Sequence, residues 1–205
     1  PEYFRLLLNI SELNMARSNF ELAKNELDEA KIISEKALNN DNYDKVTLLN
    51  CLGNYYFKTN NFKESEKYYI EAKLLLEEIL DKKNPLYEIL LYDLCNLYFN
   101  SNKYKEAGSI IYEISQLNKS AIIDGMRHLS ENEMNSFVNK FSKRLDLTLT
   151  YNLLTRDNEV SKLSLDNSLF YKGLILNSVT KVRQLLKTDS SLAFRFNKLK
   201  SLSES

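Results

Sequence analysis

The chain has 205 residues, and its Lys+Arg and Asp+Glu totals are both 28. A formal net charge of zero gives no global sign of a nucleic-acid coat or of an enzyme for acidic substrates. Four Gly and two Pro are too little turn punctuation for a sandwich, a barrel or a βαβ array, whereas 43% apolar and 27% charged residues suit a nearly all-helical chain. One His and two Cys are too few for most metal sites or for a hydrolase constellation with spares, so neither metal nor cofactor is expected. Cys51 and Cys95 form no CxxC and no disulfide framework, which suits a reducing, cytoplasmic location. No signal peptide opens the chain, no apolar run approaches the roughly 18 residues of a membrane span, and no membrane partner is expected. The first residue is Pro1, so a piece of a longer protein is expected, with chemistry in the missing parts.

In chain order, the first feature is a repeat. Ser18-Asn19-Phe20, Asn60-Asn61-Phe62 and Asn102-Lys103-Tyr104 each read as a turn followed by the first aromatic of a helix, and they recur every 42 residues. Upstream, Leu7, Ile10, Ser11 and Asn14 align with Leu49, Leu52, Gly53 and Tyr56, and with Leu91, Leu94, Cys95 and Tyr98. Downstream, Ala23, Leu27 and Ala30 align with Ser65, Tyr69 and Ala72, and with Ala107, Ile111 and Ile114. Small residues such as Gly53, Cys95, Ala23 and Ala107 let two helices cross closely, while Leu and Tyr fill the space beside them. Asn84-Pro85, an N-cap and a first-turn proline, marks the start of the third upstream helix. Most of the Tyr and Phe side chains are expected in packing.

Leu49-x-x-Leu52-Gly53-x-x-Tyr56, followed by Ser65-x-x-x-Tyr69, resembles the tetratricopeptide repeat, with Leu in place of the leading Trp. The longer period resembles that of kinesin-light-chain repeats. The resemblance implies an all-α fold. Three helical hairpins over residues 1–119 would stack into a short right-handed superhelix, followed by a non-repeat helical extension over 120–205.

Beyond about Ser120 the period fails. Gly125 and the capping box Ser130-x-x-Glu133 predict a break and a helix over about 131–154, with Met134, Phe137, Val138, Phe141, Leu145 and Leu149 on its apolar stripe. Asp157 to Glu159 predicts another start, and Leu165, Leu169, Leu176 and Val179 would share a face of a helix ending near Lys187. Asp189 or Ser190 would cap a last helix carrying Phe194, Phe196 and Leu199, before a fraying Ser-rich end.

Leu129-Ser130-Glu131-x-Glu133, Leu169-Phe170-x-Lys172-Gly173-Leu174-x-Leu176 and Val182-Arg183 resemble the helical segment ahead of the peptidase domain in CHAT proteins. That family joins caspase-like cysteine peptidase domains to tetratricopeptide repeats. The resemblance implies a non-catalytic, partner-binding arm that controls a C-terminal α/β domain with a His–Cys dyad, a domain this chain lacks. No catalytic residue carries over: His128 sits beside a helix start, and Cys51 and Cys95 are packing positions. A free-standing repeat adaptor is the alternative. A subunit associated with an RNA-guided (CRISPR) effector is a third reading, because some CHAT proteins with these repeats partner such effectors.

Two surfaces are candidate sites. In tetratricopeptide folds the first helix of each hairpin lines the inner groove, which would place Thr47, Asn50, Asn54, Phe57 and Lys58, then Ile89, Tyr92, Asn96 and Asn100, against a protein or peptide partner. Of these, Asn50, Asn54, Lys58, Tyr92 and Asn96 form the expected binding set, exposed in the free chain, since Asn amides both donate to and accept from a peptide backbone. Asn is also common throughout, with 24 in the chain. The second surface is basic. Residues 1–80 carry 10 basic and 14 acidic side chains, and residues 121–205 carry 13 and 9. Lys172, Lys181, Arg183, Lys187, Arg195, Lys198 and Lys200 face only Asp189 and would form a docking face for the neighbouring peptidase domain, with nucleic acid contacted indirectly if at all.

Overall fold

The computed structural model describes residues 2–37, 42–79, 82, 84–125, 145–155, 158–170 and 172–173. Among these every regular element is helical. Three hairpins come first: α1 (Glu2–Ala16) with α2 (Phe20–Ala37), α3 (Asn42–Lys58) with α4 (Phe62–Ile79), and α5 (Pro85–Asn100) with α6 (Tyr104–Gly125). α7 (Leu145–Thr155) and a helix over 158–170 follow. The chain divides into two compact units, Pro1–Ala121 and Ile122–Ser205.

The 42-residue period is a property of the backbone as well as of the side chains. Ser18, Asn60 and Asn102 adopt left-handed φ values of 61°, 60° and 57°. At each of these turns the next N–H reaches back five residues to a helix carbonyl: Asn19 to Asn14, Asn61 to Tyr56 and Lys103 to Tyr98, all at 2.8 Å. The left-handed residue itself donates three residues back, to Met15, Phe57 and Phe99 at 3.0–3.2 Å. This double closure satisfies carbonyls that a helix end would otherwise leave bare. The second helix then begins at once, with Ala23, Ser65 and Ala107 donating to the carbonyls of Asn19, Asn61 and Lys103.

The second hairpin closes on a buried small-to-large contact. A Cβ added to Gly53 would lie 2.4 Å from the Tyr69 ring, so this pair fits only because position 53 has no side chain. Ser65 Oγ donates to the Gly53 carbonyl at 2.9 Å beside it. The register-equivalent residues Ser11 and Leu27, and Cys95 and Ile111, are buried too. A larger first residue is matched by a smaller second one, which conserves volume. Between the first two hairpins, Phe4, Leu7 and Leu8 share a core with Leu27, Ala30, Leu48, Cys51 and Leu52.

Asn84 caps α5 as expected, its Oδ1 accepting from the Leu86 N–H at 2.9 Å ahead of Pro85 in the first turn. Three residues on, Tyr87 is fully buried. Its hydroxyl lies 2.6 Å from a Glu77 oxygen and 2.5 Å from a Glu113 oxygen, and Lys73 and Lys82 sit over its ring. Lys73 also pairs with Glu113 at 3.0 Å, and Lys82 with Glu77 at 3.2 Å and with Glu113 at 3.1 Å. This cluster ties α4, α5 and α6 together.

In the second unit, α7 and the helix over 158–170 are joined by Ser161 Oγ donating to Asn152 Oδ1 at 2.6 Å and Ser164 Oγ donating to the Thr148 carbonyl at 3.3 Å. The faces differ from expectation. Leu149, Leu165 and Leu169 are exposed, while Thr148, Tyr151, Val160, Leu163, Ser164 and Asn167 are buried. Residues 160, 163, 164 and 167 follow helical spacing, so the buried stripe mixes Val160 and Leu163 with Ser164 and Asn167, and Ser164 bonds across the pair. The expected Ser130 cap, the Met134, Phe137, Val138 and Phe141 stripe, Leu176, Val179 and the last helix lie outside the described residues.

Candidate partner-binding surface

The first helices of the hairpins touch one another, α1 against α3 and α3 against α5, and so line one side of the stack. Three rows of register-equivalent residues run across these helices, and Leu8, Asn50 and Cys51 among them are buried. One row is Glu12, Asn54 and Asn96, the next is Asn9, Cys51 and Asp93, and the third is Leu8, Asn50 and Tyr92. Neighbouring packed helices stand about 8–10 Å apart. An extended peptide rising about 3.3 Å per residue would meet a new helix every third residue.

The rows are electrostatically coupled. Cys51 Sγ donates to Glu12 Oε1 at 3.6 Å. Burial pushes the Cys51 thiol well above its ordinary range, and the Glu12 and Asp93 charges add to this. Burial likewise raises the Asp93 carboxyl to about 6; the Asn50 amide opposes the shift and the Glu12 charge reinforces it. Cys95 is pushed up to about 12 by burial alone. Both thiols are buried and uncharged at neutral pH, which removes them from nucleophilic and thiolate chemistry.

The expected binding set separates on this surface. Asn96 and Lys58 are exposed. Tyr92 is half-buried. Asn54 is also half-buried, and its Oδ1 accepts from the Tyr69 hydroxyl at 2.6 Å. Asn50 is buried, against the exposure expected of it, because its position in the period is that of core Leu8. Asn54 therefore has a structural bond to keep, and its loss would leave a Tyr hydroxyl without this acceptor. Glu12 and Asp93 were not singled out from the sequence. The signal was present, since Glu12 lies one period before Asn54 and two before Asn96.

Of the basic face, Lys172 is exposed. Lys181, Arg183, Lys187, Arg195, Lys198 and Lys200 lie outside the described residues. Among the described residues no group of His, Cys, Asp and Glu is arranged to hold a metal ion, and no helix is long and apolar enough to cross a membrane.

Comparison with known proteins agrees with this geometry. Residues 46–86, from α3 into α5, match the tetratricopeptide repeat family model. No curated protein matches the chain. Two crystal structures of nearly identical TPR-like repeats, from a Podosopora anserina kinesin light chain candidate, share the fold, one of them carrying a single substitution. The substituted form has a TM-score of 0.50 at 12% identity, covering 97% of this chain and 99% of that one. The other has a TM-score of 0.50 at 12% identity, covering 94% and 95%. The chain is an all-α stack of tetratricopeptide-like hairpins with a 42-residue period, followed by helices outside the repeat. Tetratricopeptide repeats in general mediate protein–protein interaction, their stacked helices presenting an extended binding surface.

Proposed function

We propose that this chain is the non-catalytic, partner-binding arm of a CHAT-type protein. Its first-helix surface holds a protein or peptide segment and thereby controls a caspase-like cysteine peptidase domain further along the polypeptide. The observation that carries the binding role is the row of Glu12, Asn54 and Asn96, one polar side chain on each of three successive packed helices, with Lys58 exposed at its edge. A rigid scaffold offering donors and acceptors at regular intervals fits an extended partner, because little ordering entropy is lost on binding. The peptidase connection is supported by the Leu129–Glu133 and Leu169–Leu176 motifs.

The two parts of the reading are tested together by expressing the chain with whatever follows Ser205 in its gene. The expected result is a His–Cys α/β domain whose peptide cleavage responds to a bound partner, with that response weakened by Asn96→Ala and Lys58→Ala. A gene product without such a domain removes the peptidase role and leaves a repeat adaptor. Unchanged partner binding in both variants removes the surface assignment.

A further inference from the structure

The 42-residue register allows the same helix face to be compared three times. On α5 the stripe Tyr87, Leu90, Leu94 and Leu97 is 0%, 0%, 1% and 1% exposed. α4 packs against α5, and the Tyr87 hydroxyl bonds across to Glu77 of α4. On α3 the equivalents are Lys45, Leu48, Leu52 and Tyr55: with α2 packed against that helix the two central ones are 4% and 3% exposed, while Tyr55 is half-buried and Lys45 exposed. On α1 the equivalents are Tyr3, Leu6, Ile10 and Leu13. Tyr3, Leu6 and Leu13 are 55%, 50% and 50% exposed, and Ile10 is half-buried.

The two central positions stay apolar on all three helices, Leu6, Leu48 and Leu90 with Ile10, Leu52 and Leu94, while their cover is lost on α1. Three of the four positions on α1 are Leu or Ile, as on α5, with the same 3, 4, 3 spacing along one side of the helix. The end of a repeat stack is ordinarily finished with a polar outer face, because nothing shields it from water. Here the outer face carries an inter-hairpin pattern. We infer that the Tyr3, Leu6, Ile10 and Leu13 face of α1 is the seat of a further hairpin of this repeat, joined ahead of α1 in the same polypeptide. Its second helix takes the place on α1 that α2 takes on α3 and α4 takes on α5.

A second copy of the chain is the weaker occupant. Four partly exposed side chains on one helix fall well short of the roughly 800 Å² per partner that a stable complex buries. A covalently joined hairpin needs no such area, since its association is intramolecular.

The test appends a copy of residues 43–84 directly before Pro1 of the full 205-residue chain, which keeps the 42-residue register. Hydrogen exchange of the α1 amides, thermal unfolding and circular dichroism are read on both proteins, with and without Leu6→Glu plus Leu13→Glu. The expected result is added helix, at least tenfold slower α1 exchange and a higher midpoint in the extended chain. The double variant should abolish these gains while leaving the midpoint of the 205-residue chain unchanged. Unchanged α1 exchange, or appended residues that stay non-helical, would overturn the proposal. A concentration-dependent dimer of the 205-residue chain that the double variant dissociates would also overturn it, by assigning the face to a second copy.

Discussion

The buried crossings of the hairpins and the exposed surface of their first helices obey different rules, although both follow the same period. At the register-equivalent buried positions a small residue stays with a large one: Ser11 with Leu27, Gly53 with Tyr69, Cys95 with Ile111. On the surface the chemistry changes more, from Glu12 to Asn54 and Asn96 at one position of the period. Packing holds the first set constant because interiors are close-packed. The second set is less constrained: Asn54 keeps a bond from the Tyr69 hydroxyl, whereas Asn96 at the same place in the period is exposed.

The most severe break in the crossings is Gly53→Leu, which drives a side chain into a ring that already lies 2.4 Å from where a Cβ would sit. It should lower stability by about 3 kcal/mol, read from a urea midpoint. Gly53→Ser with Tyr69→Leu rebuilds the first hairpin's pairing in the second. It should cost less than the two single changes added together.

Next in size is Tyr87→Phe, which removes the hydroxyl shared by Glu77 and Glu113 and should cost about 1.5–3 kcal/mol at pH 7. Burial alone would raise these two carboxyls, but hydrogen bonds from Tyr87 and the lysines outweigh it and leave both below the ordinary range. Their contribution is complete above the unfolded Glu pKa of about 4.3 and is lost as pH falls through the lower folded values. Acid titration of stability should therefore be shallower in the Phe variant.

Asp93 behaves with the opposite sign. Its folded pKa of about 6 lies above the unfolded value, so the folded chain holds the extra proton and stability falls as pH rises from about 4 to 6. Asp93→Asn, which installs the residue found at Asn9, should gain about 1 kcal/mol at pH 7 and nothing near pH 4. The smallest effect concerns the turns. Ser18→Gly relieves a left-handed Ser and should gain about 0.5 kcal/mol, whereas Asn60→Gly should change little because Asn tolerates that conformation. Thermal midpoints of the two variants separate these outcomes.

Much of the repeat was legible because period, small residues and caps are local signals. Phe20, Phe62 and Tyr104 do begin helices, Asn84 does cap α5, and Gly53 does mark a tight crossing. What the sequence hid depends on long-range partners. The Asn54 bond to Tyr69 and the convergence of Tyr87 with Glu77 and Glu113 join residues 10 to 26 positions apart. The tetratricopeptide resemblance puts Asn50 on the groove, whereas its register is that of core Leu8 and it is buried. In the second unit no period was available to fix the faces, and the apolar Leu165 and Leu169 misled where Ser164 and Asn167 are the buried ones.

The central claim is that partners meet the first-helix surface. It is tested most directly by placing a photo-crosslinking amino acid at Asn96 or Lys58, and in parallel at Ile70 or Tyr112, which are exposed on α4 and α6. In cells the account predicts one shared protein captured from both Asn96 and Lys58 and not from Ile70 or Tyr112. Capture of that protein from the α4 and α6 positions instead, or equally from all four, would contradict it.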